Sequence, residues 1–280
     1  GVPKENNSTL RTRGWEISLN WKHALENGLS YNLGISLYDY KSVVTKYFNP
    51  TGTLSTWYEG AEVGDIWGYT VNDLFRSQED LDSYLSKVDM THIAANWNTG
   101  DLKYEDINHD GKVNNGTNTI GNHGDLSVIG NDQPHYQYTI NGGVSYKGFD
   151  FSMLWRGVAK KDMYFYRGSN IYWGFMGGWW ESCLTPEHLD YFRDQPGSKY
   201  SGLYEGDANI NTDAYWPSPY LNNTEEAKNK NHANTRYLQN AAYLRLQNVQ
   251  LGYSFPRSIT SKMHLEKLRI YFSGENLLTF

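Results

Sequence analysis

The sequence contains one cysteine, Cys183, which excludes a disulfide within the chain and a zinc site built from cysteine ligands. It has no run approaching the roughly 20 apolar residues that a membrane-spanning helix requires. Its net charge of −6 disfavours nucleic acid as a partner. The first residues show no basic stretch followed by an apolar one, so no signal peptide is predicted there. The chain is therefore interpreted either as cytosolic or as an interior piece of a longer protein.

Aromatic residues, in contrast, are abundant. The chain has 23 Tyr, 10 Trp and 10 Phe, while its mean hydropathy is only −0.69. This combination disfavours a helical membrane protein. It is compatible with a membrane β-barrel, because lipid-facing and lumen-facing residues alternate along each strand and their hydropathies average out.

Alternating apolar and polar residues predict six long strands in three antiparallel hairpins. The hairpins cover about 15–37, 136–156 and 238–280, and the last joins a strand over 238–255 to one over 268–280. The alternation slips by one residue near Gln247, which predicts a β-bulge or a strand end there.

The connections between these strands differ greatly in length. Three are short turns, whereas two are long loops, at about 42–134 and 161–236. Short turns at one end and long loops at the other are typical of outer-membrane barrels. Strands of ten or more residues also match the roughly 9–11 needed to cross the hydrocarbon layer. A soluble β-sandwich is the alternative, although its strands are usually only about 5–6 residues long.

The run from Asp106 to Gly111 places oxygen-bearing side chains at every second position and ends in glycine, which is typical of a calcium-binding loop. The predicted ligands of a structural Ca²⁺ are Asp106, Asn108, Asp110, the backbone carbonyl of Lys112, and Asp125. Thr117 occupies the twelfth position, where an EF-hand needs a bidentate glutamate, so the site departs from a standard EF-hand. A cluster of Asx turns without metal is the alternative.

Aromatic residues in the second long loop are the other candidate site. The predicted contacts to a substrate or a lid protein are Tyr172, Trp173, Trp179, Trp180 and Trp216. Packing within the loop is the alternative for all five. Two helix starts are also predicted: Ser77 with Asp80 three residues later, and Thr185 followed by Pro186.

Several segments carry a family resemblance. The segments are 64–75, 100–113, 124–131, 146–150, 243–253 and 268–277. Together they resemble, in order and over nearly the whole chain, the SusC/RagA-like TonB-linked outer-membrane transporters of Bacteroidota. The first reads Gly64-Asp-Ile-Trp-Gly-Tyr and the last ends in Gly274-Glu-Asn-Leu.

The resemblance implies a fold class and an architecture. Members of the family have a barrel of about 22 strands with an N-terminal plug. Residues 1–280 would be a C-terminal part of that all-β, antiparallel transmembrane barrel, and the plug would be absent. Six strands are fewer than the roughly eight of the smallest bacterial barrels, so the chain is expected to be a fragment. Polar residues on the inner strand face, such as Asn20 and Asn141, would line the lumen.

The resemblance also implies a function. The parent protein would lie in the outer-membrane lipid and import oligosaccharides or oligopeptides, with a SusD-like surface lipoprotein as lid. TonB would act through the absent plug. No nucleophile–base pair or phosphate-binding loop is recognisable, so no enzyme activity is predicted. The alternative is a soluble, calcium-stabilised carbohydrate-binding β-domain.

Overall fold

The computed structural model describes residues 8–165, 185–195, 210–220 and 223–280. Contacts divide the chain into two compact units, each assembled from separate stretches of sequence. The first, the loop unit, comprises Gly1–Thr9, Val44–Asp132 and Met163–Gln239. The second, the sheet unit, comprises Leu10–Val43, Gln133–Asp162 and Asn240–Phe280.

The strands of the described residues are numbered along the chain. They are β1 (Ser8–Ala24), β2 (Ser30–Tyr47), β3 (Asp65–Tyr69), β4 (Val71–Leu74), β5 (Leu102–Tyr104), β6 (Leu126–Asn131), β7 (His135–Tyr146), β8 (Phe149–Lys160), β9 (Asp162–Tyr164), β10 (Leu238–Asn240), β11 (Tyr243–Ser254) and β12 (Arg269–Thr279). The α-helices are α1 (Gln78–Leu85), α2 (Asn223–Lys230) and α3 (Arg257–Thr260), and short 3₁₀ helices cover Pro186–Leu189, Thr235–Tyr237 and Ser261–Met263.

Six long strands form one sheet in the order β1-β2-β7-β8-β11-β12. The predicted three hairpins are therefore confirmed. The tightest turn, between β7 and β8, has positive φ at both Lys147 (46°) and Gly148 (90°). Such a turn matches the right-handed twist of the flanking strands. The strands of the described chain form an open sheet, not a closed barrel.

Two strand boundaries differ from those expected. The second strand continues to Tyr47, beyond the predicted loop start at 42. The segment predicted as one strand over 238–255 is divided into β10 and β11. Its predicted irregularity is confirmed, because the register of β11 shifts between Leu246 and Asn248 against both β8 and β12. Against β8, Gln247 is the extra residue of a bulge. Against β12, Asn276 and Leu277 lie opposite Gln247, so the extra residue there belongs to β12.

Apolar side chains lie in register across one face of the sheet. One cross-strand row consists of Tyr31, Val144, Phe151, Leu251 and Phe272. A second row consists of Ile35, Ile140, Trp155, Leu246 and Leu278. Four residues of the first row are open to solvent in this chain, from 36% exposed at Phe151 to 70% at Phe272, and Tyr31 is half-buried. A large apolar face of this kind requires a non-aqueous environment or a partner.

Polar and small residues occupy the opposite face. The register places Asn32, Gly143, Ser152, Gln250 and Ser273 in one cross-strand row. Gly34 marks a close approach on this face, since an added Cβ would clash with the side-chain oxygens of Asn141 and Asn20. The predicted alternation between an apolar and a polar face is therefore present in the folded sheet.

The loop unit is built differently, from short strands around a buried core. Strand β3 pairs with β6 and β4 pairs with β5, both antiparallel. Helix α1 begins as predicted, with the Ser77 hydroxyl accepting a hydrogen bond from the Asp80 N–H at 3.1 Å. The core of the loop unit includes three fully buried side chains, those of Leu74, Phe75 and Tyr104. Within the described part of the chain, no helix has the length and apolarity needed to cross a membrane.

Candidate functional site

The predicted calcium loop is closed by its own side chains. The Asp106 carboxylate accepts hydrogen bonds from the backbone N–H groups of Asp110 (3.2 Å) and Gly111 (2.8 Å). Asn108 Oδ1 accepts a second bond from the Asp110 N–H at 2.9 Å. Gly111 has φ +81°, a conformation that strains any residue with a side chain. The sharp turn expected at this glycine is therefore present.

Asp125 joins the loop across an intervening turn, as the sequence predicted. Its carboxylate is fully buried and accepts the backbone N–H groups of Ile107 (3.0 Å) and Asn114 (2.8 Å). Burial raises the pKa of Asp125, these hydrogen bonds oppose the rise, and the neighbouring Asp106 carboxylate adds to it. The Asp106 carboxylate therefore disfavours the charged form of the buried Asp125, and a bound cation would offset this effect.

The loop residues fit a hard cation by donor type, because carboxylate, amide and carbonyl oxygens are the ligands of Ca²⁺. Their arrangement here is one of Asx turns, in which the carboxylates accept backbone N–H groups. No group of three His, Cys, Asp or Glu side chains within the described ranges converges on one point. Lys112 continues the pattern, since its N–H donates to Asp110 Oδ1 at 2.9 Å. The Ca²⁺ site stays a prediction.

Of the predicted aromatic contacts, Tyr172, Trp173, Trp179 and Trp180 lie outside the described residues. Trp216 is described and is only 5% exposed. Its ring stacks on Tyr237 with centroids 5.8 Å apart, and lies 5.2 Å from the His188 ring. This burial contradicts a contact between the Trp216 ring and a substrate or lid. The alternative, packing within the loop, accounts for this residue.

A fully buried ion pair was not predicted from the sequence. Lys228 on α2 lies 2.8 Å from Asp101, and both side chains are inaccessible. Asp101 also accepts hydrogen bonds from the Tyr220 hydroxyl (2.9 Å) and the Asn229 side-chain amide (2.8 Å). The two residues of the pair are distant in sequence. Both buried charges have further hydrogen-bond partners, which a buried ion pair requires.

One sequence signal could have revealed part of this network. Gly64-Asp65, Gly100-Asp101 and Gly124-Asp125 are each followed by an aliphatic residue, and all three glycines have positive φ. The three carboxylates accept backbone N–H groups from Glu62, Asn98 and Asn114, respectively. A strand begins at the aspartate or directly after it. The repeated Gly-Asp pair therefore marks turns that lead into the strands of the loop unit.

Sequence comparisons relate the whole chain to one class of protein. No family model matches it. It is 23% identical over 296 residues to TonB-dependent receptor P3 of Formosa agariphila, which covers 99% of this chain and 25% of the receptor. TonB-dependent receptor P26 of the same organism is 23% identical over 98% of the chain and 25% of that receptor.

The chain is homologous to the TonB-dependent receptors. The resemblance inferred from the sequence is thereby confirmed, and these relatives are receptors, not enzymes. The chain spans about a quarter of the length of the curated relatives it matches.

Solved structures show the same fold. The RagAB peptide transporter matches with a TM-score of 0.61 at 16% identity, over 98% of this chain and 26% of the matched chain. The RagAB peptide importer in its closed-closed state matches with a TM-score of 0.60, over the same shares of the two chains. The prediction of an antiparallel sheet from a TonB-dependent barrel is therefore confirmed, with six strands of that barrel present here.

Proposed function

We propose that this chain is part of an outer-membrane, TonB-dependent importer. The exposed apolar row that ends at Phe272 carries the proposal. Lipid would cover this face, because outward-facing apolar residues alternating with inward-facing polar ones are the pattern of a transmembrane β-strand. Strands of 11 to 18 residues are also longer than the roughly 5–6 typical of a soluble sandwich.

The partners and cargo belong to the same proposal. The parent protein takes up oligosaccharides or oligopeptides with a SusD-like surface lipoprotein, and TonB supplies the energy through a plug. Homology to the TonB-dependent receptors supports the TonB requirement. The fold shared with the RagAB peptide transporter supports an importer.

We also propose that Ca²⁺ orders the loop at Asp106, Asn108, Asp110 and Asp125, with the Lys112 carbonyl as a further ligand. The observation in favour is the turn at Gly111, with its φ of +81°, together with Asp125, whose carboxylate accepts the Ile107 N–H of the same loop at 3.0 Å. The role is structural, because a cation there would hold a turn in the loop unit together.

Fractionation of the full-length receptor tests the proposed location. We expect it to sediment with outer membranes and to require detergent for extraction. Growth on a defined glycan or peptide mixture, with and without the tonB gene, then tests import. A receptor found in the aqueous fraction would overturn the importer and favour the soluble, calcium-stabilised β-domain.

A further inference from the structure

A cleft in the loop unit is lined by aromatic, hydroxyl and carboxylate side chains. Its volume is about 380 Å³, and its walls include Trp57, Tyr58, Trp67, Thr56 and Glu62. Small-molecule sites usually have volumes of about 300–1,000 Å³ and combine aromatic surface with a few polar groups. The cleft therefore has the size and lining of a site for one small ligand or one unit of a larger one.

Hydrogen bonds hold the walls in place without any ligand. Asn49 fixes the segment before the cleft, since its side-chain amide donates to the Thr53 carbonyl (2.8 Å) and to the Trp57 carbonyl (3.1 Å). The Trp67 indole N–H donates to the Tyr58 hydroxyl at 3.1 Å, and the two rings meet edge to face with centroids 6.4 Å apart. The aromatic wall is thus preorganised, which lowers the entropic cost of binding.

Trp57 offers the ring most accessible to a ligand. Its side chain is 44% exposed, in contrast to Trp216, which is 5% exposed in the core. A large aromatic ring left open at the wall of a cleft provides a flat apolar surface for stacking. The neighbouring hydroxyl of Thr56 and carboxylate of Glu62 provide polar groups beside that surface.

The charges of the lining restrict the ligand. The described residues of the cleft wall include two carboxylates, Glu62 and Asp65, and no Lys, Arg or His, so an anionic ligand would be repelled. Asp65 already uses both carboxylate oxygens within the protein, accepting the Glu62 N–H (3.2 Å) and the Asn131 side-chain amide (3.1 Å). This favours recognition by stacking and hydroxyl hydrogen bonds over recognition by charge.

We propose that this cleft binds an uncharged pyranose ring of an oligosaccharide, with the ring stacked on Trp57. The apolar face of the sugar covers the indole, and its hydroxyl groups donate to the Glu62 carboxylate and to the Thr56 hydroxyl oxygen. The Thr56 O–H itself donates to the Tyr47 hydroxyl at 3.1 Å. The proposal deepens the proposed import function by selecting neutral glycan over peptide as the class of ligand.

The test is equilibrium binding to the full-length receptor in detergent. The probes are cellotetraose, xylotetraose, maltotetraose and laminaritetraose, measured separately, with the peptide Gly-Lys-Gly as the cationic alternative. We expect at least one tetrasaccharide to bind and Trp57→Ala to weaken it by about tenfold or more, the loss expected for one stacking ring. Trp57→Phe keeps a stacking ring and should retain most of the affinity.

Phe48→Ala is the matched control, because Phe48 is 77% exposed and does not line the cleft. The affinity of Phe48→Ala for the tetrasaccharide should equal that of the wild type. All variants should have the same melting temperature as the wild type. Failure of every tetrasaccharide to bind, binding that Trp57→Ala leaves unchanged, or Trp57-dependent binding of Gly-Lys-Gly alone would each overturn the proposal. Fractionation of the same receptor reports on the importer separately, so the two proposals can fail independently.

Discussion

The two units use the same apolar residue types in opposite ways. In the sheet unit, Leu251 and Phe272 stand open to solvent, at 52% and 70% exposed, whereas Leu74 and Phe75 of the loop unit are completely buried. The loop unit encloses a core of buried apolar side chains, whereas one apolar row of the sheet unit lies largely on a surface. Environment, more than composition, distinguishes the two, because apolar groups must be removed from water in either case.

Buried charge gives the same contrast. The loop unit encloses Lys228 and Asp101 completely, which is tolerated only with full pairing. In the sheet unit, Arg269 pairs with Asp150 at the partly open polar face, at 2.5 Å. Substitutions should therefore act through packing and pairing in the loop unit and through the exposed apolar surface in the sheet unit.

The largest expected effect is that of Lys228→Ala. It leaves the Asp101 carboxylate buried without its cation and should destabilise the loop unit by about 3–5 kcal/mol. Limited proteolysis of the full-length receptor would report this as faster cleavage within the loop unit. Lys87→Ala, at an exposed lysine of the same unit, is the control and should change little. Equal cleavage of both variants would contradict a stabilising role for the ion pair.

Phe272→Arg should have the next largest effect. Arginine on the lipid face costs about 2–4 kcal/mol near the bilayer midplane, so less receptor should assemble in the outer membrane. The control is Ser273→Arg, one residue along β12 on the polar face, which should assemble normally. In a soluble domain both positions would tolerate arginine. Equal assembly of the two variants in the outer membrane would therefore contradict a lipid-facing apolar face on the sheet unit.

Calcium should stabilise the loop unit and leave the sheet unit unchanged. Free Ca²⁺ at about one hundred times its Kd would add about 2.7 kcal/mol to the stability of a unit that binds it. Thermal unfolding with Ca²⁺ or with a chelator measures the shift, which Asp106→Asn should abolish. Asp82→Asn, at an exposed acid of α1, should keep it. Absence of any shift in the wild type would leave the loop as Asx turns alone.

Ser77→Ala should have the smallest effect. It removes the cap of α1, the bond from the Asp80 N–H to the Ser77 hydroxyl, at a cost of about 1 kcal/mol. Ser83→Ala changes an exposed serine within the same helix and should be close to neutral or slightly stabilising, since alanine favours helix. Thermal unfolding of the loop unit measures the comparison, and Ser77→Ala should melt at a lower temperature than Ser83→Ala.

The predictability of the two units differs for a physical reason. Strand alternation and a one-residue slip are local patterns, so the faces of the sheet and the bulge at Gln247 were predicted from the sequence. The turn at Lys147–Gly148 is likewise specified by adjacent residues. Register between neighbouring strands then follows from the hairpin turns and from the two-residue period.

The loop unit depends on contacts between distant residues, which single-sequence patterns do not report. The Val71 N–H donates to Thr235 Oγ1 (2.9 Å), and the Leu102 N–H donates to Asn229 Oδ1 (3.0 Å). Strands β4 and β5 are only four and three residues long, too short for a clear period. The Asp106–Gly111 turn was predicted because its residues are adjacent. The sequence left Trp216 open between ligand contact and packing within the loop, because Tyr237 covers it from another segment.

We propose above all that the apolar face of the sheet faces lipid. A nitroxide label placed at single cysteines over 270–273 of β12, in a full-length receptor otherwise free of cysteine and reconstituted in bilayers, measures this directly. The account predicts that accessibility to oxygen, which concentrates in lipid, is high at 270 and 272, and that accessibility to a water-soluble nickel chelate is high at 271 and 273. Equal accessibility of all four positions to the nickel chelate would contradict it.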